Sequence, residues 1–248
     1  MKKIFSFLLA AIVATFTLSS CSDINYSSEE YYIYYGDVID DSHILLDNNR
    51  ILEVVENESS ASYLKAGYRL LINFSILEDL VDDETTTTDY KVRINAMSQI
   101  LTKDVLIEAD LTEDELEELG DDEIHINDTW ISMSKYLNIS FTMLLNDETH
   151  LINGLVTEQE DNNVVIELKH NAYEDRESYS SKGVVSLRVA DLLPAEYDKL
   201  YIELRWKNYD KDEKVTDLIL SRSSTSTTEA FSTISPSSVQ GLSSYMIY

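Results

Sequence analysis

Apolar and polar residues alternate along most of the chain from Tyr31 to Leu220, which predicts short strands almost throughout. Tyr31 to Asp41 reads as a strand ending at an Asp pair. Ile44-Leu45-Leu46 and Arg50 to Val55 flank Asp47-Asn48-Asn49, so a hairpin is expected there. Lys65-Ala66-Gly67-Tyr68 reads as a turn into a further strand, Arg69 to Leu77, and Glu78 to Asp89 as an acidic, threonine-rich loop. In Tyr90 to Ile100 the pattern puts Tyr90, Val92, Ile94 and Ala96 on one face, against Lys91, Arg93 and Asn95 on the other. Four or five strands in this compass suit a small barrel of the OB type.

The period changes at Leu111 to Leu119, the one helical pattern beyond the N-terminal apolar run. Thr112 can cap it, Glu115 stands at the capping-box position and Gly120 can end it. With Leu111, Leu116 and Leu119 as its apolar residues, it is expected to connect two β domains rather than to fill a core. Strand signals resume from Glu123: Ile124 to Ile126, Thr129 to Met133, Tyr136 to Leu145, His150 to Val156, Val164 to Asn171, Lys182 to Val189, Leu200 to Asn208 and Val215 to Leu220. Their spacing is that of a β-sandwich, with a short helical turn at Leu192 to Tyr197. The expected fold is therefore all-β: an OB-like barrel over 31–108, a linker helix over 109–123 and a sandwich over 124–222. A Ser/Thr-rich tail over 223–248 follows.

The start of the chain has a different composition. Lys2 and Lys3 precede an apolar run from Ile4 to Leu18, shorter than the roughly 20 residues a spanning helix needs. Residues 1–20 thus read as a secretory signal. Leu18-Ser19-Ser20-Cys21 resembles the lipobox of bacterial lipoproteins, which makes Cys21 the expected lipidation site and residues 21–30 a tether. An ordinary signal peptide with a chance cysteine is the other reading, but Cys21 is the one cysteine of the sequence and falls where a lipobox needs it. The membrane partner is then reached through an N-terminal lipid, with the outer membrane as the default location.

A formal net charge of −27, from 46 acidic and 19 basic residues, repels phosphate backbones and argues against nucleic acid as a partner. One cysteine excludes both a disulfide framework and thiolate zinc sites, so packing must supply stability.

Ile100 to Val105, the Leu-Thr opening of the helix, Gly120 to Ile124, Asp128-Thr129-Trp130-Ile131, Tyr136 to Ile139 and Glu167 to Ala172 form an ordered set. Gly67 to Phe74 and Asp89 to Val92 extend it upstream. Together they resemble the NigD-like lipoproteins of the Bacteroidetes, over about Gly36 to Leu220. That resemblance implies an OB-like N-terminal domain before a C-terminal β-sandwich, and an association with bacteriocin genes, with no activity attached. The long Ser/Thr tail departs from the family's usual ending.

Catalytic signatures are missing from the sequence: it has no Gly-rich phosphate loop, His-Glu-x-x-His helix or Gly-x-Ser-x-Gly elbow. The histidines His43, His125, His150 and His170 read as separate surface or strand-end residues, although His150 and His170 lie on strands that can be neighbours. The acidic clusters Asp37/Asp40/Asp41, Asp79/Asp82/Asp83/Glu84 and Asp121/Asp122/Glu123 lack EF-hand spacing and read as solvated loops. Tyr31, Tyr32, Tyr34 and Tyr35 place rings on both faces of one strand, for packing or for stacking on a sugar or peptide. No catalytic, cofactor or metal residue is nominated, and the expected function is that of a non-enzymatic envelope protein with a protein or glycan partner. A carbohydrate- or peptide-binding accessory lipoprotein and an acidic hydrolase are the alternatives, the last requiring paired carboxylates or the two histidines beside an acid.

Overall fold

The computed structural model describes residues 30–59, 63–133, 135–146, 148–175 and 179–222. The expected signal, Cys21, nearly all of the tether and the tail from 223 lie outside the described residues.

Five strands make the N-terminal barrel: β1 Tyr32–Val38, β2 His43–Leu46, β3 Ile51–Asn57, β4 Arg69–Asp79 and β5 Tyr90–Gln99. They close in the order β1-β2-β3-β5-β4, with β3 and β5 parallel and β1 antiparallel to β4 across the seam. The β2–β3 hairpin forms where Asp47-Asn48-Asn49 predicts it, because Asn49 tolerates a left-handed φ of 62°. Val38, Ile44, Leu46, Leu52, Leu70, Ile72, Phe74, Val92 and Ile94 fill the interior. Gly36 lets β2 approach, since a Cβ there would lie 2.8 Å from Ile44 Cγ2 and 2.9 Å from Leu45 O.

Ala96 does not join the inner face of β5. Asn73 pairs with Ala96 but Phe74 pairs with Ile94, so Asn95 is an extra residue, and its Nδ2 donates to Asn73 Oδ1 (3.0 Å) and Ser75 Oγ (3.1 Å). The bulge reverses the alternation beyond it, leaving Ala96 exposed and Met97 buried.

The C-terminal sandwich begins earlier than its sequence pattern suggests. β6 Leu101–Asp104 pairs in parallel with β12 Tyr179–Arg188, and β7 Leu106–Ile107 pairs in parallel with β10 Leu151–Glu160. The expected barrel span of 31–108 therefore ends at β5, and residues 101–107 supply one short strand to each sandwich sheet. The remaining strands are β8 His125–Ser132, β9 Tyr136–Leu145, β11 Asn163–Asn171, β13 Lys199–Lys207 and β14 Glu213–Ser221. The sheets run β14-β13-β11-β10-β7 and β6-β12-β9-β8. Leu137, Ile139, Phe141, Val185 and Leu187 of the second sheet pack against Ile152, Ile166, Ile202 and Leu204 of the first.

Helix α1, Glu113–Leu119, has the expected capping box: Thr112 Oγ1 accepts the Glu115 amide at 3.3 Å, and Thr112 N donates to Glu115 Oε2 at 2.8 Å. Gly120 ends it at φ 71°. The helix is not a linker between domains, however. It follows β6 and β7 and packs on β10 and β11, within the sandwich.

Barrel and sandwich meet around Arg69, at the start of β4, which is 1% exposed. Nη1 and Nη2 fork onto Asp47 (2.8 and 2.7 Å), and Nη1 also reaches Asp37 (3.2 Å), both of the barrel. From the sandwich, Ser186 Oγ accepts from Nε at 2.9 Å, while Ser132 Oγ (3.0 Å) and Asn138 Oδ1 (3.2 Å) accept from Nη2. The Tyr136 ring lies 4.3 Å from Arg69 Cζ, and Tyr136 OH and Lys135 Nζ both donate to Asp37 (2.8 and 3.0 Å). Burial opposes the guanidinium's charge, but Asp47 foremost and Asp37 more than offset it, so its pKa is raised. One planar fork, engaged from both sides, fixes how the domains sit.

Candidate functional site

The tyrosines of β1 are absorbed by packing. Tyr32 and Tyr34 lie against Phe74, with ring centroids 5.7 and 6.5 Å apart, and Tyr35 stacks at the domain junction, 5.5 Å from Trp130. The acidic clusters are dispersed too. Asp37 belongs to Arg69, and Asp40 turns back on the amides of Ser42 and His43 (each 2.8 Å). Those bonds, the Ser42 amide first, lower Asp40 to about 2. Asp79 and Asp83 accept the amides of Val81 (3.0 Å) and Thr85 (2.9 Å) as turn residues do. Asp121 takes Lys207, and Asp122 accepts the Ala172 amide (2.8 Å). Among the described residues no group of three or more His, Cys, Asp or Glu side chains is arranged to hold a metal.

Two histidines remain apart: His43 pairs with Asp40 on the barrel, and His125 meets Asn208 at 3.2 Å. The other two are not separate surface groups as expected. His150 Nδ1 lies 2.9 Å from His170 Nε2, and the residues are 1% and 2% exposed. His170 Nδ1 faces the Glu123 carbonyl at 3.1 Å, and His150 Nε2 faces Asp175 Oδ2 at 3.5 Å, beyond a made hydrogen bond. Burial, then the neighbouring His150, lowers His170 to about 4. An acid beside two histidines is the arrangement a hydrolase would use, but here both rings are buried.

The open surface lies on the outer face of the five-stranded sheet. A depression of about 420 Å³ there is lined by Glu158, Glu160, Val165, Tyr201, Glu203, Asp217 and Ile219, among others. Tyr201 and Ile219 are directly paired across β13 and β14 and are 44% and 52% exposed. Beside them Glu203 is paired with Asp217, a like-charge pair that destabilises a sheet. Arg205 compensates Glu203, at 2.5 Å from Nε, while no partner is seen for Asp217 among the described residues. A second bulge adds to this face. Val156 pairs with Ile166 but Glu158 with Val165, so the extra residue Thr157 turns Glu158 and Glu160 outward. The result is an apolar centre with a carboxylate rim, where local stability has been given up.

Comparison with known proteins agrees with this architecture. Residues 107–220 match the family model of the NigD-like C-terminal β-sandwich domain. The C-terminal half is a NigD-like domain. The match begins in β7, so β6 adds a strand ahead of it. Several solved structures share the fold. A protein of unknown function from Bacteroides vulgatus superposes with a TM-score of 0.67 at 23% identity, over 86% of this chain and 100% of its own. A protein described as toxin-related, from Parabacteroides distasonis, gives 0.64 at 22% identity, over 78% and 94% of the two chains. A NigD-like immunity protein from Bacteroides caccae gives 0.58 at 20% identity, over 78% and 93%. No protein of curated function matches the chain. The outer face, the His150–His170 pair and the sandwich half of the Arg69 junction all belong to the NigD-like domain.

Sequence reasoning missed Arg69, Asp175 and the outer face. Tyr201 gave a usable signal, since it occupies a polar position between the buried Leu200 and Ile202. Arg69 and Asp175 carried none, because their partners are distant in sequence.

Proposed function

We propose that this NigD-like protein is a lipid-anchored, non-enzymatic accessory protein of the envelope, held by Cys21 and acting by binding a partner on the outer face of its five-stranded sheet. The observation that carries the reading is the Tyr201–Ile219 pair, exposed within a rim of Glu158, Glu160, Glu203 and Asp217. An apolar centre ringed by carboxylates, of which Glu203 is paired with Arg205, fits a cationic amphipathic protein segment, whose basic residues would relieve the Glu203–Asp217 repulsion while its apolar ones cover the pair. The names of the relatives, toxin-related and immunity protein, are in keeping with a protein that works by capture.

The anchor is tested by intact-mass analysis and fractionation in the native host, beside Cys21→Ala. A chain beginning at Cys21 with a diacylglyceryl mass, lost from the membrane in the variant, supports it. Solubility of both forms contradicts it. For the face, a lysine- and leucine-rich amphipathic peptide serves as probe, beside a glutamate-rich counterpart and a neutral oligosaccharide. The cationic peptide is expected to bind, more weakly as salt rises. Binding of the oligosaccharide alone would assign the face to glycans instead.

A further inference from the structure

The end of the sandwich holds a chain of four nitrogens between two acceptors. Glu123 O faces His170 Nδ1 (3.1 Å), His170 Nε2 faces His150 Nδ1 (2.9 Å), and His150 Nε2 faces Asp175 Oδ2 (3.5 Å). Both ends of the chain can only accept, so its three gaps need three protons, and two neutral imidazoles bring two. With His170 Nδ1–H on the carbonyl and His150 Nδ1–H on His170, the bare lone pair of His150 Nε2 is aimed at a carboxylate. That explains why this buried atom has no hydrogen-bond partner among the described residues and why its gap is the long one.

We propose that the pair is a one-proton clamp: mild acid charges His150, draws it onto Asp175 and thereby fastens the β9–β10 turn to the turn that follows β11. Asp175 Oδ2 already accepts the amides of Asn146 (2.8 Å) and Glu148 (3.1 Å), so whatever steadies this carboxylate steadies that turn. His150 takes the proton because it faces the carboxylate, while His170 ends on a neutral carbonyl. Among the described residues Asp122, ahead of β8, also bears on His170, and it accepts the Ala172 amide. Burial and the charge on His150 hold His170 near 4, so a second proton enters only in stronger acid and then breaks the chain.

Nitrogen-15 NMR of the imidazoles in the mature chain, with Cys21→Ala for solubility, tests this. As pH falls, His150 is expected to charge before His170, which stays neutral until about 4. Amide exchange at Asn146 and Glu148, corrected for intrinsic pH dependence, slows several-fold over the same change in wild type and not in Asp175→Asn. Both rings charging together, His170 charging first, unchanged exchange in wild type, or slowing that persists in Asp175→Asn overturns the proposal.

Discussion

Arg69 Nε donates to Ser186 Oγ at 2.9 Å, joining the first residue of a barrel strand to a residue near the end of a sandwich strand, both of them buried. Removing a guanidinium from such a site leaves Asp37 and Asp47 half-satisfied beside the junction. Arg69→Ala is expected to cost about 3–5 kcal/mol. It should also split one thermal transition into two, because only the bonds from Tyr136 and Lys135 to Asp37 then remain of the polar ties described at the junction. Ser186→Ala is expected to cost about 1–3 kcal/mol. Calorimetry checks both, and a single unshifted transition in Arg69→Ala would show that the junction does not couple the domains.

Burial first, and His150 second, lower His170 from 6.5 to about 4. A base with a depressed folded pKa binds its proton more readily in the unfolded chain. Stability from this residue is therefore complete above about pH 6.5 and declines as pH falls toward about 4. At 1.36 kcal/mol per unit, the loss approaches about 3 kcal/mol. Urea titrations at stepped pH should show this slope in wild type and a flatter one in His170→Gln over that window. Equal slopes would mean that the ring is not protected from charging.

Gly120 combines a φ of 71° with close packing: a Cβ there would lie 2.6 Å from Asn171 Cβ and 2.8 Å from the His170 carbonyl. Gly120→Ala is expected to cost about 1–3 kcal/mol in chemical denaturation, well beyond the gain alanine brings at an open helix end. A neutral or stabilising result would place the helix end elsewhere.

Local rules carried far in this sequence, and long-range register set their limit. The capping box of Thr112 and Glu115, the Gly120 stop and the Asn49 hairpin each depend on residues within a turn of one another. Strand alternation located the barrel strands until Asn95 added a residue to β5 and turned Ala96 outward. The histidine pair shows the same physics. Asp161 and Asn162 make a two-residue turn, which without a bulge would set His170 opposite Asn153. The extra Thr157 moves it opposite Ile152, onto the face that carries His150. Nothing in the sequence around Thr157 announces that shift. Likewise, pairing of β6 with β12 joins segments some eighty residues apart, and no periodicity within Leu101–Asp104 could assign that strand to the sandwich rather than the barrel.

The most direct test of the account is chemical-shift mapping of the lysine- and leucine-rich peptide on the mature Cys21→Ala chain, repeated with Asp217→Lys. The account predicts shifts gathered at Val165, Tyr201, Glu203 and Ile219, and about tenfold weaker binding in the variant, equivalent to about 1.4 kcal/mol. Shifts scattered over the acidic surface, or centred elsewhere, with affinity unchanged by Asp217→Lys, would contradict it.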